Sequence, residues 1–327
     1  MKLLTFRNPS GQEKLGILDE ATGSPNRIID VEKAWEGLKL GSNAPTDMHA
    51  VIREPKYLAQ FSQILKASRE GHLPPLAYLL ESKTQIASPI PRPLSMRDGY
   101  AFRQHVEAAR RNRGVPMIPE FDHFPVFYFT NHLAVTGPGP VKVEKLAMDK
   151  LDFELEVAVV IGKEGKNISA AQADQHIFGY LIMNDWSART LQMEEMKLNL
   201  GPAKGKDFAT SLGPYLVTRD ELEKFATPGK DGERHDLKMK AFVNGKQLSE
   251  GNLKDISWTF AQILERASYG VTLYPGEVIG SGTVGTGCLL ELNGSKITDN
   301  LWLKAGDEVV MEVAHLGRLV NTIEAAR

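Results

Sequence analysis

Residues 151–162 read LDFELEVAVVIG and residues 178–192 read FGYLIMNDWSARTLQ, and the pair decides the fold. In the first stretch Phe153, Leu155, Val157, Val159 and Ile161 alternate with Asp152, Glu154, Glu156, Ala158 and Val160, the period-two pattern of a strand. Glu154 and Glu156 therefore share one face. Neighbouring carboxylates repel unless a cation or a basic side chain lies between them. In the second stretch the apolar run Phe178 to Met183 has the length of a buried strand and stops at Asn184-Asp185, which puts a third carboxylate at a strand end. All-oxygen ligation suits Mg2+, Ca2+ or Mn2+. Asp185 or Ser187 is expected to cap the helix that follows, on which Arg189 and Gln192, spaced i and i+3, share a face. The same residues also fit a plainer arrangement, an exposed edge strand whose glutamates pair with Arg189.

The 327-residue chain is long enough for one large domain with a smaller appendage, or for two domains. Its formal net charge is −2, and no long basic run interrupts the sequence. That argues against nucleic acid or an anionic membrane as the main partner and points to a small molecule. KLLTFR follows Met1 with no apolar leader, and no run approaches the length of a membrane span. The only cysteine, Cys288, lies in the apolar run CLLEL, where a lone thiol is most often a buried small hydrophobe. A cytoplasmic, reducing setting is expected.

Around the central stretches, residues 1–88 read as a small N-terminal α+β domain. Strands are expected at Lys2–Arg7, Leu15–Asp19 and Arg27–Val31, and helices from about Val31 to Leu40 and Pro55 to Arg69. SPIPRP (88–93) is an extended connection, because its prolines supply no ladder donors. Residues 89–327 form the main domain. RDGYAFRQHVEAARRNRGVP (97–116) predicts a helix over Ala101–Arg113 that stops at Gly114. His105 lies on it, and a lone helical histidine is more often structural than catalytic. PEFDHFPVFYFTN (119–131) reads as a loop and short strand whose rings mostly belong to the core.

Further on, LKMKAFVNGKQLSEG (237–251) is a hairpin turning at Asn244-Gly245, and a helix is expected from Ile256 to Tyr269. GPAKGKD (201–207) falls one residue short of a phosphate loop and has Asp207 where a hydroxyl is required. Gly280, Gly282 and Gly285 match the dinucleotide pattern, but CLLEL after them reads as another strand, leaving no helix dipole for a pyrophosphate. A nucleotide-dependent oxidoreductase would rest on that match alone. GDEVVMEV and GRLVNTI close the chain as strands.

Taken together these segments resemble the fumarylacetoacetate hydrolase family, nearest to a fumarylacetoacetase-like bacterial branch, from about Arg97 to the C-terminus. LDFELEVAVVIG with MNDWSARTLQ resembles the family's metal-binding core, GPAKGKDFATSLGPYLVT its lysine loop, and LYPGEVIGSGTVGTG its glycine-rich closing turn. The resemblance implies an α+β fold, a mixed β-rich barrel-like roll with a small N-terminal domain. It implies that Glu154, Glu156 and Asp185 bind a divalent cation, with Asp98 as a further ligand and Lys206 and Thr210 at a second, weaker cation position. His105 falls at the place of the general base and Glu291 at that of the carboxylate orienting it. Arg189, Gln192 and Lys206 match the charge-stabilising groups, and Tyr100, Tyr128, Arg113 and Thr283 the substrate contacts. Arg113 lies one residue from the expected arginine, and Met196 replaces a tyrosine-bearing pattern. The implied activity is hydrolysis of a carbon–carbon bond in a β-diketo acid such as fumarylacetoacetate or an acylpyruvate, by a homodimer. Decarboxylation, isomerisation or tautomerisation of 2-oxo acids is the alternative within the family.

Overall fold

The computed structural model describes residues 1–20, 25–41 and 43–326. Its largest sheet runs, neighbour to neighbour, through Tyr78–Leu80, Arg27–Asp30, Glu13–Asp19, Lys2–Arg7, Thr210–Thr218, Ile177–Asp185, Leu155–Ile161, Val278–Gly280, Met96–Gly99 and Phe127–Phe129. The sheet thus crosses residue 88, because Lys2 and Leu3 pair with Val217 and Leu216. A second sheet takes Lys246–Asn252, Lys238–Val243, Glu308–Val313, Gly317–Ala325 and Gly139–Val143 in that order. Both paths are open at their ends and not joined into a barrel. The fold is mixed α and β.

The expected alternation explains how the layers stack. Leu155, Val157, Val159 and Ile161 enter one core with Met239, Ala241, Val309 and Met311 of the second sheet. Ala158 and Val160 enter another, with Trp35, Ile52, Phe61 and Ile64 of the N-terminal helices. The strand is buried along its whole length, so it is central, and the exposed-edge arrangement is excluded.

Several local expectations change. The strand is broken at Phe153-Glu154, where the Glu154 amide donates to Asn184 Oδ1 at 3.0 Å and not to a ladder carbonyl. The helix expected from Ile256 spans Phe260–Ser268, because Thr259 and Gln262 form a reciprocal capping box. The first helix stops at Leu38, and Met48–Arg53, capped by Asp47, is a helix that periodicity did not reveal. CLLEL is not a strand: Leu289–Gly294 is a helix. The Asn244-Gly245 turn is as expected, with both residues at positive φ joining paired strands. Among the described residues no helix is long and apolar enough to cross a membrane.

Candidate metal centre

Strand pairing brings the carboxylates together. Asn184 and Asp185 end the Ile177–Asp185 strand beside Leu155, while Gly280 lies between Ala158 on one side and Asp98 on the other. Asp98, Glu154, Glu156 and Asp185 each offer an oxygen within 4.8 Å of the others, and all four are buried. Asp98 arrives through parallel pairing of Met96–Gly99 with Val278–Gly280, held by a buried ion pair in which Arg97 Nη1 lies 2.5 Å from Glu277 Oε2.

Two basic side chains reach the cluster. Lys206 Nζ donates to Asp185 Oδ2 at 2.6 Å and also to Glu154 Oε2. Its loop is fixed from outside, because the Glu195 carboxylate accepts from the amides of Ala203, Lys204 and Gly205. Arg189 Nη2 donates to Glu154 Oε1 at 2.7 Å and Nη1 to Gln192 Oε1 at 2.9 Å, so the i, i+3 pair is made. Arg189 begins its helix directly. Ala188 stands at the cap without a side-chain bond, and neither Asp185 nor Ser187 caps it, because Ser187 and Ala188 pair with Asp152 and Leu151 as a short strand.

Electrostatics follow from this placement. Burial raises Glu154, but Lys206 and Arg189 outweigh it and hold the carboxyl well below its usual range. Burial and then the nearby Asp185 charge push Asp98 up to about 7. Burial and the Asp98 charge push Glu156 well up. Burial opposes the charge on Lys206 and Arg189, yet the surrounding carboxylates keep both above their ordinary values.

Whether a cation fits is decided by the atoms left over. Among the described residues Glu156 Oε2 and Asp185 Oδ1 are buried with no hydrogen-bond partner. Among the described residues the five buried carboxyl groups here, counting Asp152, are matched by two side-chain cations, Arg189 and Lys206, so that without a further cation Asp98 and Glu156 hold on to protons. Unpaired buried charge is costly, and an all-oxygen donor set of this kind suits a hard divalent cation. The residues present fit one. Gly280 leaves the room it needs: a Cβ there would lie 2.3 Å from Asp98 Oδ1 and 3.1 Å from Glu156 Oε2. Gly280→Ala is therefore expected to displace these carboxylates and weaken Mn2+ binding by about tenfold or more while the chain still folds, read by electron paramagnetic resonance titration. Parent-like affinity would show that Asp98 and Glu156 do not hold the ion.

Beside the cluster, His105 Nδ1 lies 2.6 Å from Glu291 Oε2, and both side chains are buried. Glu291 Oε1 accepts from the Thr286 amide at 2.9 Å. Tyr100 meets the His105 ring edge-on at 5.8 Å between centroids. Tyr128 donates to Asp185 Oδ2 at 2.5 Å, and Thr283 Oγ1 donates to Glu156 Oε1 at 3.4 Å, so these two residues touch the carboxylates themselves. Thr210 stands opposite Asp185 in the strand register. Arg113 is exposed and turns back onto the Ala109 carbonyl of its own helix.

Two residues given no role by sequence reasoning belong here. Asn184 holds the Glu154 amide, and Asp152 binds Arg189. Asp152 has the parity of Glu154 and Glu156, which was its available signal. Cys288 is buried, as expected, and its Sγ caps the Leu289–Gly294 helix. That helix does not revive a dinucleotide site, because the Asp152 carboxylate already occupies its first amides.

Comparison with known proteins agrees with this geometry. The chain is 30% identical over 306 residues to oxaloacetate tautomerase YisK of Bacillus subtilis (strain 168), covering 91% of this chain and 93% of that protein. It is 36% identical over 208 residues to a fumarylacetoacetase of Oryza sativa subsp. japonica, covering 53% of this chain and 48% of that one. The crystal structure of maleylpyruvate hydrolase from Sphingobium sp. SYK-6, in complex with manganese (II) ion and pyruvate, shares the fold over 100% of both chains, with a TM-score of 0.69 at 20% identity. Residues 95–324 match the family described as fumarylacetoacetate (FAA) hydrolase C-terminal, and with that span the chain belongs to the fumarylacetoacetate hydrolase family.

Proposed function

We propose that this protein hydrolyses a carbon–carbon bond in a β-diketo acid of the fumarylacetoacetate or acylpyruvate type. The observation that carries the reading is the buried His105–Glu291 pair beside the four-carboxylate cluster. A carboxylate can only accept, so His105 carries its proton on Nδ1 and presents Nε2 as the base. Nε2 takes a proton from water, and the resulting hydroxide adds to the carbonyl of the β-diketone farther from the oxo-acid fragment that will leave. The bond from that carbon to the adjacent methylene then breaks, its electron pair leaves as an enolate, and a proton returns to carbon. The products are a carboxylic acid and an oxo acid, a 2-oxo acid from an acylpyruvate and a 3-oxo acid from fumarylacetoacetate.

Asp98, Glu154, Glu156 and Asp185 would hold a divalent cation, which when bound would supply Lewis-acid polarisation. Arg189 and Lys206, kept charged by their carboxylate neighbours, stabilise the negative charge that develops on the leaving fragment, and Gln192 keeps the guanidinium aligned.

One observation favours a second reading, tautomerisation or decarboxylation of a 2-oxo acid: the match to the oxaloacetate tautomerase spans nearly the whole chain, whereas the fumarylacetoacetase match spans about half. A panel with added Mg2+ decides between them. Acylpyruvate and fumarylacetoacetate are expected to lose their enol-diketone absorbance and release two acids in stoichiometric amounts. Accelerated keto–enol exchange of oxaloacetate with no cleavage of any diketo acid would overturn the hydrolase in favour of the tautomerase.

A further inference from the structure

Asp152 is fully buried, and its one carboxylate joins three segments. Oδ1 accepts from the amides of Phe153 at 2.8 Å and Leu289 at 2.7 Å. Oδ2 accepts from the Leu290 amide at 3.0 Å and from Arg189 Nε at 2.8 Å, with Arg189 Nη2 at 2.7 Å. The first contact lies in the strand break that leads into Glu154 and Glu156. The second and third are the first two amides of the helix whose third residue is Glu291. The remaining contacts fix the guanidinium that reaches Glu154 and Gln192.

We propose that Asp152 is the positioning residue that sets Arg189 and the Glu291-bearing helix at fixed distances from the carboxylate cluster; this inference rests on the roles proposed above for Arg189 and the His105–Glu291 pair. The argument is one of donor counting. Asp152 sits at the centre of several converging N–H donors, which only an ionised carboxylate can satisfy at both oxygens. An asparagine there would turn an NH2 toward other donors, releasing either the helix start or the guanidinium. Asp152 offers no free oxygen to the cation cluster, so its effect reaches the chemistry through Arg189 and Glu291.

The test compares Asp152→Asn with the parent, both loaded with Mn2+, on whichever acid the parent turns over. A kcat lower by about 100-fold or more is expected, with KM and Mn2+ affinity within about threefold, because Arg189 and Glu291, which Asp152 positions, act on charge and a proton that move only in the transition state. Binding of oxalate, a planar dianion resembling an enolate of a 2-oxo acid, should weaken by about tenfold in calorimetry. The oxalate measurement needs no turnover, so it reads the positioning role even if the substrate assignment fails. A parent-like kcat with parent-like oxalate binding overturns the proposal. So does a loss of activity that saturating Mn2+ restores, since that would make Asp152 a support of the cation site only.

If Asp152→Asn does not fold because Arg189 is left unbalanced, the neutralised double variant Asp152→Asn/Arg189→Gln is compared with Arg189→Gln. A further fall of about tenfold in kcat in the double variant, at equal Mn2+ affinity, supports the link to the Glu291 helix. Equal rates, and equal oxalate affinity, remove it.

Discussion

Stripping the divalent cation with a chelator is expected to lower turnover by about 1000-fold or more, with recovery on adding Mg2+ or Mn2+, because protons on Asp98 and Glu156 can balance the buried charge but cannot polarise a substrate oxygen as a divalent cation does. Glu156→Gln should act in the same direction through ion affinity, since one Glu156 oxygen is buried without a hydrogen-bond partner among the described residues. The pH dependence has a definite sign. Asp98 is pushed to about 7, above its unfolded value, so in the cation-free chain its contribution to stability is full below about pH 4 and is lost as pH rises through 7. A cation competes with that proton. Because Glu156 is pushed up as well, ion affinity should fall by at least about tenfold per pH unit below 7, and binding near neutrality should release protons, both measurable by calorimetry in buffers of different ionisation enthalpy. Full activity in rigorously metal-free protein, or affinity flat between pH 5 and 8, would sink the assignment.

His105→Ala and Glu291→Gln should each lower turnover of a diketo acid by about 100-fold or more while leaving Mn2+ affinity nearly unchanged. The 2.6 Å contact between them makes the two residues one unit, in which the carboxylate has work to do only through the imidazole. The double variant should then be little worse than His105→Ala alone. Multiplying losses would show that Glu291 acts independently, for instance by supporting the Thr286 turn through its other oxygen. If both single variants cleave the diketo acid at the parent rate, water activation lies elsewhere and the tautomerase reading gains.

What could be read without the structure was what depends on neighbours in sequence. The alternation in LDFELEVAVVIG exposed a strand buried on both faces, and Asn244-Gly245 exposed its hairpin, because strand period and type I′ turns are local physics. The carboxylates at 154, 156 and 185 were visible for the same reason. Asp98 was not: it reaches the cluster only through pairing with Val278–Gly280, some 180 residues away, and was named through family resemblance. The CLLEL segment looks like a strand because a six-residue helix has too little length to show a period, and its start is set by a tertiary contact to Asp152. The Phe260 helix start is written locally, since Thr259 and Gln262 spell the capping box. Asp152 shows the opposite limit. Its parity was plain, but nothing local announces that its partners are Arg189 and the amides of Leu289 and Leu290.

The long sheet has a consequence for how the protein is made. Lys2–Arg7 leaves the ribosome about 200 residues before Thr210–Thr218, the strand that lies against it, an interval of about 10 to 40 seconds at ordinary synthesis rates. During that time the first strand is bordered only by Glu13–Asp19 and Gln85–Ala87, and the rest of its edge stays unpaired. Leu3 and Leu216, neighbours in the finished core, wait for one another. Long-range pairing of this kind is slow and leaves strand edges open to other chains. The yield of folded protein will therefore respond to translation speed and growth temperature through this one seam, before any residue of the metal centre has begun to matter.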